Sequence, residues 1–383
     1  MRRAAVIVLD ACGVGALPDA GAYEGDAGSN TLGHLAEHVG GLELPTLQRL
    51  GLGSILPLRG VDPAEQPALH GRLAPLGPGK ESTTGHWELM GVVPPAPLPT
   101  YPGGFPPEVI ETLERATGHR FCCNRPYSGT EVIDDFAAHH RESGELILYT
   151  SADSVLQIAA HVDVLDEPGL YAACEAARAA MDGEHRVGRV IARPFEGEEG
   201  DFRRREGRRD YAAPPPGRSY LEELQEAGVT VHAVGKVRDL FAGVGIDVTH
   251  EAHSNSQGIA ATTRLLDDLD DGLVFVNLVD TDQVYGHRKD VEGFHQALRE
   301  IDTALAGWLG QLRDDDLLVL TADHGVDPDA PHTDHTREYA PLLAVFEGHG
   351  GRRHDGPLAD VGASVLRWLT GRQAPALPGE PFV

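Results

Sequence analysis

Residues 317–341 read LLVLTADHGVDPDAPHTDHTREYAP. Residues 317–321 form a leucine-rich, β-branched run of the length expected for a buried strand. The run stops at Asp323-His324-Gly325, so a carboxylate and an imidazole leave one strand end side by side. Eleven residues after His324 comes His335, between Asp334 and Thr336, in a loop rich in Asp, Pro and His. Asp and His at a strand end, with a second His looping back, carry the donor atoms of a divalent-metal site. The same letters also describe a polar cap followed by a solvated loop. Matching groups elsewhere in the chain decide between these readings.

Two such groups exist. Residues 4–9 are an uninterrupted apolar run that ends at Asp10, with Gly13 and Gly15 just beyond. Those glycines do not make a dinucleotide fingerprint, because Pro18 stands where the third glycine belongs. Residues 273–279, LVFVNLV, form a strong strand followed by Asp280, Asp282 and His287. Between and after these lie a strand at 229–235 and helices at 258–269 and 291–312. The last has apolar residues at 291, 294, 298, 301, 305, 309 and 312, the spacing of a helix packed on a sheet. Alternating strands and helices predict an α/β domain with a doubly wound, mostly parallel sheet. In such a sheet the C-terminal strand ends face one crevice. Asp10, the Asp280/Asp282 pair and Asp323 therefore converge there, joined by His287, His324 and His335. Three carboxylates and three imidazoles exceed the needs of one ion. They suit two metals about 4 Å apart, the arrangement used for in-line displacement at phosphorus. Oxygen and nitrogen donors without sulfur favour Mn²⁺ or Mg²⁺ over a closed structural zinc site.

Residues 77–91, GPGKESTTGHWELMG, offer hydroxyls for such a displacement. Gly79-Lys80 resembles the end of a P-loop, but Glu81 follows where Ser or Thr should hold magnesium, which excludes that motif. What remains reads as a helix N-terminus. A threonine hydroxyl there, beside a metal, is a good phosphoryl acceptor, and on chemistry alone Thr83 and Thr84 are equivalent.

Prolines at 94, 95, 97, 99, 102, 106 and 107 break the chain, and Pro214-Pro215-Pro216-Gly217 break it again. The predicted organisation is a core domain from 1–97 and 215–383, interrupted by a smaller α/β domain at 98–214. The insert has its own helices (109–117, 172–181) and strands (146–150, 189–192).

The chain has 383 residues, too many for one small core. Its net charge of −27 argues against a general nucleic-acid or anionic-membrane binder. Four cysteines without CxxC spacing fit a reducing compartment. No segment approaches the roughly 20 apolar residues of a membrane span, and the N-terminal apolar run is cut short by Asp10. A cytoplasmic location is expected.

Six stretches carry a family resemblance: VLDACGVGALPDA, KESTTGHWELMG, PYSGTEVIDDF, YTSADSVLQIAAH, NLVDTDQVYGHRKD and TADHGVDPDAPHTDHTREYAP. Together they resemble the phosphopentomutase family of the alkaline phosphatase superfamily, essentially end to end. The resemblance implies an alkaline-phosphatase-like core with an inserted substrate cap. It also implies two divalent ions, Mn²⁺ by preference, one held by Asp10, Asp323 and His324 and the other by Asp282, His287 and His335. It makes Thr84 the residue that carries phosphate. Where the family more usually has Lys-Asp-Thr, this chain has Lys80-Glu81-Ser82. In the cap, Arg189 and Arg204 match phosphate contacts, and Asp153, with Lys236 of the core, matches further substrate contacts. Guanidinium forks suit that task, whereas most arginines of the 203–209 run read equally well as solvated charge.

The implied reaction moves phosphate between C1 and C5 of ribose or 2-deoxyribose through a 1,5-bisphosphate. Sugar phosphates are the expected partners, glucose 1,6-bisphosphate or a similar sugar bisphosphate the expected activator, and a monomer the expected state. The alternatives are a metal-dependent phosphatase or phosphodiesterase, a cofactor-independent phosphoglycerate mutase, and a catalytically silent binding module. The last has no use for a nucleophile.

Overall fold

A computed structural model describes residues 2–151, 154–348 and 350–383. The chain forms two compact units: Met1–Pro97 together with Pro215–Val383, and Leu98–Pro214. Strands β1 (Arg3–Leu9) and β2 (Leu69–Ala74) belong to the larger unit. The smaller unit then contributes β3 (Phe121–Pro126), β4 (Leu146–Thr150), β5 (Val155–His161), β6 (Arg189–Glu196), β7 (Arg203–Arg204) and β8 (Arg209–Ala212). The larger unit resumes with β9 (Val231–Val234), β10 (Val248–His250) and β11 (Gly272–Leu278). It ends with β12 (Asp316–Thr321), β13 (Ala340–Val345) and β14 (Gly356–Pro357).

The larger sheet runs β10-β9-β11-β1-β12-β13-β2-β14. Its first five strands are parallel, and β13 is antiparallel to both β12 and β2. The doubly wound, mostly parallel core expected from the sequence is therefore observed. Every residue of β1, β11 and β12 is buried, as continuous apolar runs require when helices cover both faces. Register explains the convergence of distant residues. Leu9 pairs with Leu278 and Val8 with Thr321, so three adjacent strands end nearly level. The loops leaving their C-terminal ends emerge at one edge of the sheet.

The smaller unit is a sheet of order β3-β4-β5-β6-β7, with β8 paired to β6. Alternation along β4 splits its core in two. Leu146 and Leu148 pack with residues of the helices Pro107–Thr117 and Glu167–Ala180, while Ile147 and Tyr149 pack with the helix Glu131–Ser143. Among the described residues no helix is long and apolar enough to cross a membrane.

Candidate active site

Asp10 leaves β1, Asp282 comes after β11 in a wide π-helical turn (Thr281–Tyr285), and Asp323 leaves β12. Such turns widen the backbone locally and recur at functional sites. Thr281 Oγ1 donates to the Asp10 carbonyl at 2.7 Å, which fixes that turn against β1. Immediately after Asp10, Ala11 adopts φ +62°, a left-handed conformation costing a side chain roughly 1 kcal/mol or more. The strained peptide turns the Ala11 N–H onto Asp323 Oδ1 at 3.2 Å. The local backbone thereby joins two carboxylates that would otherwise repel.

His324 and His335 stack with ring centroids 3.8 Å apart. His287, in the short turn Gly286–Arg288, has its Nε2 3.2 Å from His335 Nε2. Both nitrogens lie 3.3 Å from Asp282 Oδ1. His324 Nε2 lies 3.3 Å from Asp323 Oδ2 and 3.5 Å from Asp10 Oδ1. All six metal-site residues expected from the sequence are thus brought together. Asp282 is the shared member. Its carboxylate falls within 4.8 Å of donors from His287 and His335, and equally within reach of Asp10 and His324.

The donors fit divalent ions. Asp10 Oδ1, Asp282 Oδ1 and Asp323 Oδ2 are buried and lack a well-formed hydrogen bond among the described residues. An orphaned carboxylate oxygen is costly unless a cation meets it. Two ligands about 2.1 Å from one tetrahedral ion lie about 3.4 Å apart, the spacing found between these oxygens and nitrogens. Electrostatics agree. Burial pushes the Asp10 carboxyl up to about 6, helped by Asp323 and opposed by Lys236. Burial would also raise Asp282 and Asp323, but imidazoles beside them, His335 for Asp282 and His324 for Asp323, hold both below the usual range. Burial disfavours a charged His324, yet Asp323 and its neighbours raise it to about 10. A divalent ion would displace that proton.

The hydroxyl at this cluster belongs to Ser82. Its Oγ is 3.0 Å from His324 Nε2 and accepts from Lys236 Nζ at 3.0 Å. Lys236 Nζ also pairs with Asp10 Oδ2 at 2.5 Å, and the Asn277 amide nitrogen donates to the same oxygen at 2.9 Å. The helix starts at Ser82 and runs to Leu89. Thr84, expected from the resemblance to carry phosphate, is buried with its hydroxyl donating to the Glu81 carbonyl at 3.1 Å. It is engaged within the first helical turn, and the hydroxyl that meets His324 and Lys236 is that of Ser82. Sequence could not separate these adjacent hydroxyls without the register of the helix start.

Supporting residues carry no such mark in the sequence. Glu338, buried, accepts from the Thr31 amide (2.9 Å) and hydroxyl (2.7 Å), the Thr336 hydroxyl (2.7 Å) and the Gly15 amide (3.1 Å). It ties the loop after β1 to the loop carrying His335. Asp26 accepts from Lys80 at 3.1 Å and from the Arg337 amide at 2.8 Å, and meets His332 Nε2 at 2.9 Å. His332 is therefore tied through Asp26 to Lys80, two residues before Ser82. Neither acid has a sequence signal beyond lying near a motif.

In the smaller unit, Arg204 Nε donates to the Gly129 carbonyl at 3.1 Å, and Arg189 lies 3.5 Å from Asp210. Arg203, Arg205 and Arg208 pair with Glu196, with Glu167 and Glu196, and with Asp210. Asp153 lies outside the described residues. Cys122, His139 and Glu145 form a third donor cluster. There His139 and Glu145 satisfy each other at 2.9 Å, and burial pushes the Cys122 thiol up to about 12. This is a hydrogen-bonded His–Glu pair beside a partly buried thiol.

The Metalloenzyme superfamily model matches residues 2–371. A phosphopentomutase of Caldanaerobacter subterraneus subsp. tengcongensis is 48% identical over 95% of this chain and 93% of its own length. Another, from Anaeromyxobacter sp. (strain K), is 50% identical over 96% and 95%. A solved phosphoglycerate mutase of Leishmania mexicana aligns over 99% of this chain and 97% of its own, at 14% identity and a TM-score of 0.48. Fold, donor set and similarity along nearly the whole length agree that this chain belongs to the phosphopentomutase family, among the alkaline-phosphatase-like metalloenzymes, and is an isomerase that uses divalent metal.

Proposed function

We propose that the chain interconverts ribose 1-phosphate and ribose 5-phosphate, and the 2-deoxyribose phosphates, with Ser82 as the phosphoryl acceptor. The observation that carries this is the Ser82 hydroxyl, 3.0 Å from both His324 Nε2 and Lys236 Nζ, beside carboxylates with orphaned oxygens. Asp10, Asp323 and His324 would hold one ion and Asp282, His287 and His335 the other, with Asp282 within reach of both. When bound, two divalent ions, Mn²⁺ in this reading, neutralise charge on the phosphoryl oxygens and ease loss of the hydroxyl proton.

The chain's own groups do the rest. Lys236 stands against the Ser82 oxygen, where its ammonium offsets charge that develops on transfer. Burial opposes that charge, but Asp10 and its neighbours keep the ammonium's pKa above the ordinary value. Phosphoserine 82 would pass its phosphoryl group to the free C1 or C5 hydroxyl of a pentose monophosphate. The hydroxyl proton is released, the serine oxygen is the leaving group, and a 1,5-bisphosphate results. Returning the other phosphate to Ser82 regenerates the phosphoenzyme and yields the isomer. A sugar bisphosphate such as glucose 1,6-bisphosphate would prime Ser82. Arg189 and Arg204 are the proposed ligands of the phosphate not in transfer, on the chemistry of their guanidinium forks. Asp153 is proposed as a further substrate contact.

The test is to treat the enzyme with glucose 1,6-bisphosphate and map the phosphate within peptide 77–91 by mass spectrometry. Phosphate on Ser82 is expected. Phosphate on Thr83 or Thr84 overturns the assignment. A chase with ribose 5-phosphate should then yield ribose 1-phosphate. Stoichiometric inorganic phosphate in its stead would make the enzyme a hydrolase, and turnover of 3-phosphoglycerate a different mutase.

A further inference from the structure

His86 is fully buried one turn after Ser82 and is neither one of the six metal-site residues nor a proposed substrate contact. Its Nδ1 is 2.8 Å from the Ser82 carbonyl oxygen and 3.2 Å from Asp323 Oδ2. Its Nε2 is 3.2 Å from the amide nitrogen of Asn277, a polar residue within the apolar strand β11. That amide nitrogen also donates to Asp10 Oδ2 at 2.9 Å.

These contacts fix the proton on His86. An ionised carboxylate only accepts hydrogen bonds, so Asp10 turns the NH₂ of Asn277 toward itself. The same NH₂ faces His86 Nε2, which must then accept and carry no proton. In a neutral imidazole the proton sits on Nδ1, aimed at the Ser82 carbonyl and at Asp323. Gly85 allows this approach, because a Cβ there would lie 2.4 Å from the Asp323 carbonyl oxygen.

We infer that His86, held by Asn277 in its Nδ1–H form, is a positioning residue that locks Asp323 and the Ser82 peptide to each other. The carboxylate at one ion and the acceptor hydroxyl then move as one piece. The inference rests on the proposed roles of Asp323 and Ser82. Partners of metal ligands of this kind are worth about 10–100-fold in metal affinity.

The experiment titrates Mn²⁺ calorimetrically into the full-length wild type and into His86→Ala, His86→Gln and His86→Asn, with thermal unfolding run in parallel. An asparagine amide reaches the position of Nδ1, and a glutamine amide that of Nε2. Wild type is expected to bind two ions. His86→Ala and His86→Gln should weaken one of them about 10–100-fold and leave the other nearly unchanged, and His86→Asn should restore most of the loss. Wild-type affinity for both ions in all three variants overturns the inference. So does rescue by Gln as good as by Asn, or equal weakening of both ions with a lowered melting temperature in every variant. A wild type that binds fewer than two ions overturns the two-metal reading itself, and the inference with it.

Discussion

The two units handle charge in opposite ways. At the strand ends of the larger unit, three buried carboxylates keep oxygens without a well-formed hydrogen bond, and imidazoles crowd them at 3.2 to 3.5 Å. In the smaller unit most arginines of the 203–209 run sit half in solvent and pair with nearby acids. The first arrangement is costly without a ligand, whereas the second is nearly neutral in free energy. Unsatisfied buried charge is therefore a better guide to the reacting centre than charge density, which is greater along the arginine run.

The sharpest way to break this contrast is Asp282→Ala. Because Asp282 adjoins both donor groups, its loss should reduce Mn²⁺ stoichiometry below two. Isomerase activity should fall on the order of 10³-fold or more, since metal charge stabilisation is worth several kcal/mol. Two ions retained at wild-type affinity would refute the shared role.

Gly85→Ala comes next. The new Cβ would meet the Asp323 carbonyl oxygen at 2.4 Å and its Cβ at 2.8 Å, so the helix bearing Ser82 must shift from β12. A stability loss of about 1–3 kcal/mol is expected by thermal unfolding, with activity falling beyond what unfolding explains. A variant as stable and active as wild type would mean that this approach is not close in solution.

Within the smaller unit, Arg204→Ala and Arg205→Ala should part company. Loss of a charged hydrogen bond to phosphate, about 1.5–3 kcal/mol, should raise KM for ribose 5-phosphate about 10–100-fold in the first. Arg205 is exposed and paired with Glu167 and Glu196, so its removal should change KM by no more than severalfold. Equal effects in both would remove Arg204 from the substrate contacts.

The smallest effect concerns acid. Buried His140 accepts the His161 amide through Nε2 at 2.9 Å, and burial lowers its pKa below 6.5. Above 6.5 it is neutral in folded and unfolded chains alike, and its contribution is complete. As pH falls below 6.5 the unfolded chain binds a proton that the fold resists, so stability declines toward the lowered folded value. Hydrogen exchange at the His161 amide should therefore show less protection at pH 5.5 than at pH 7.5, after correction for intrinsic rates. His140→Gln should flatten that dependence.

Much of this was legible in the sequence because strands buried on both faces are written as unbroken apolar runs. A carboxylate closing such a run stands out, which is why Asp10, Asp282 and Asp323 could be read. Asp280 stands out equally, but its Oδ2 accepts the Asn255 amide at 2.8 Å and supports a helix start. The hydroxyl that meets His324 was not legible. Ser82, Thr83 and Thr84 point about 100° apart once helical, and only the position of the helix start decides which one meets His324. Asn277 was visible inside LVFVNLV, yet nothing in one dimension pairs it with His86.

Strand β1 sits between β11 and β12, both of which are made more than 260 residues after it. At roughly 5–20 residues per second, the nascent chain carries an apolar strand without neighbours for about 15 to 50 seconds on the ribosome. Residues 98–214 contain every strand of their own sheet and can complete it meanwhile. Synthesis thus delivers a finished insert on an unfinished host, and strand β1 waits for both its neighbours until the last third of the chain arrives.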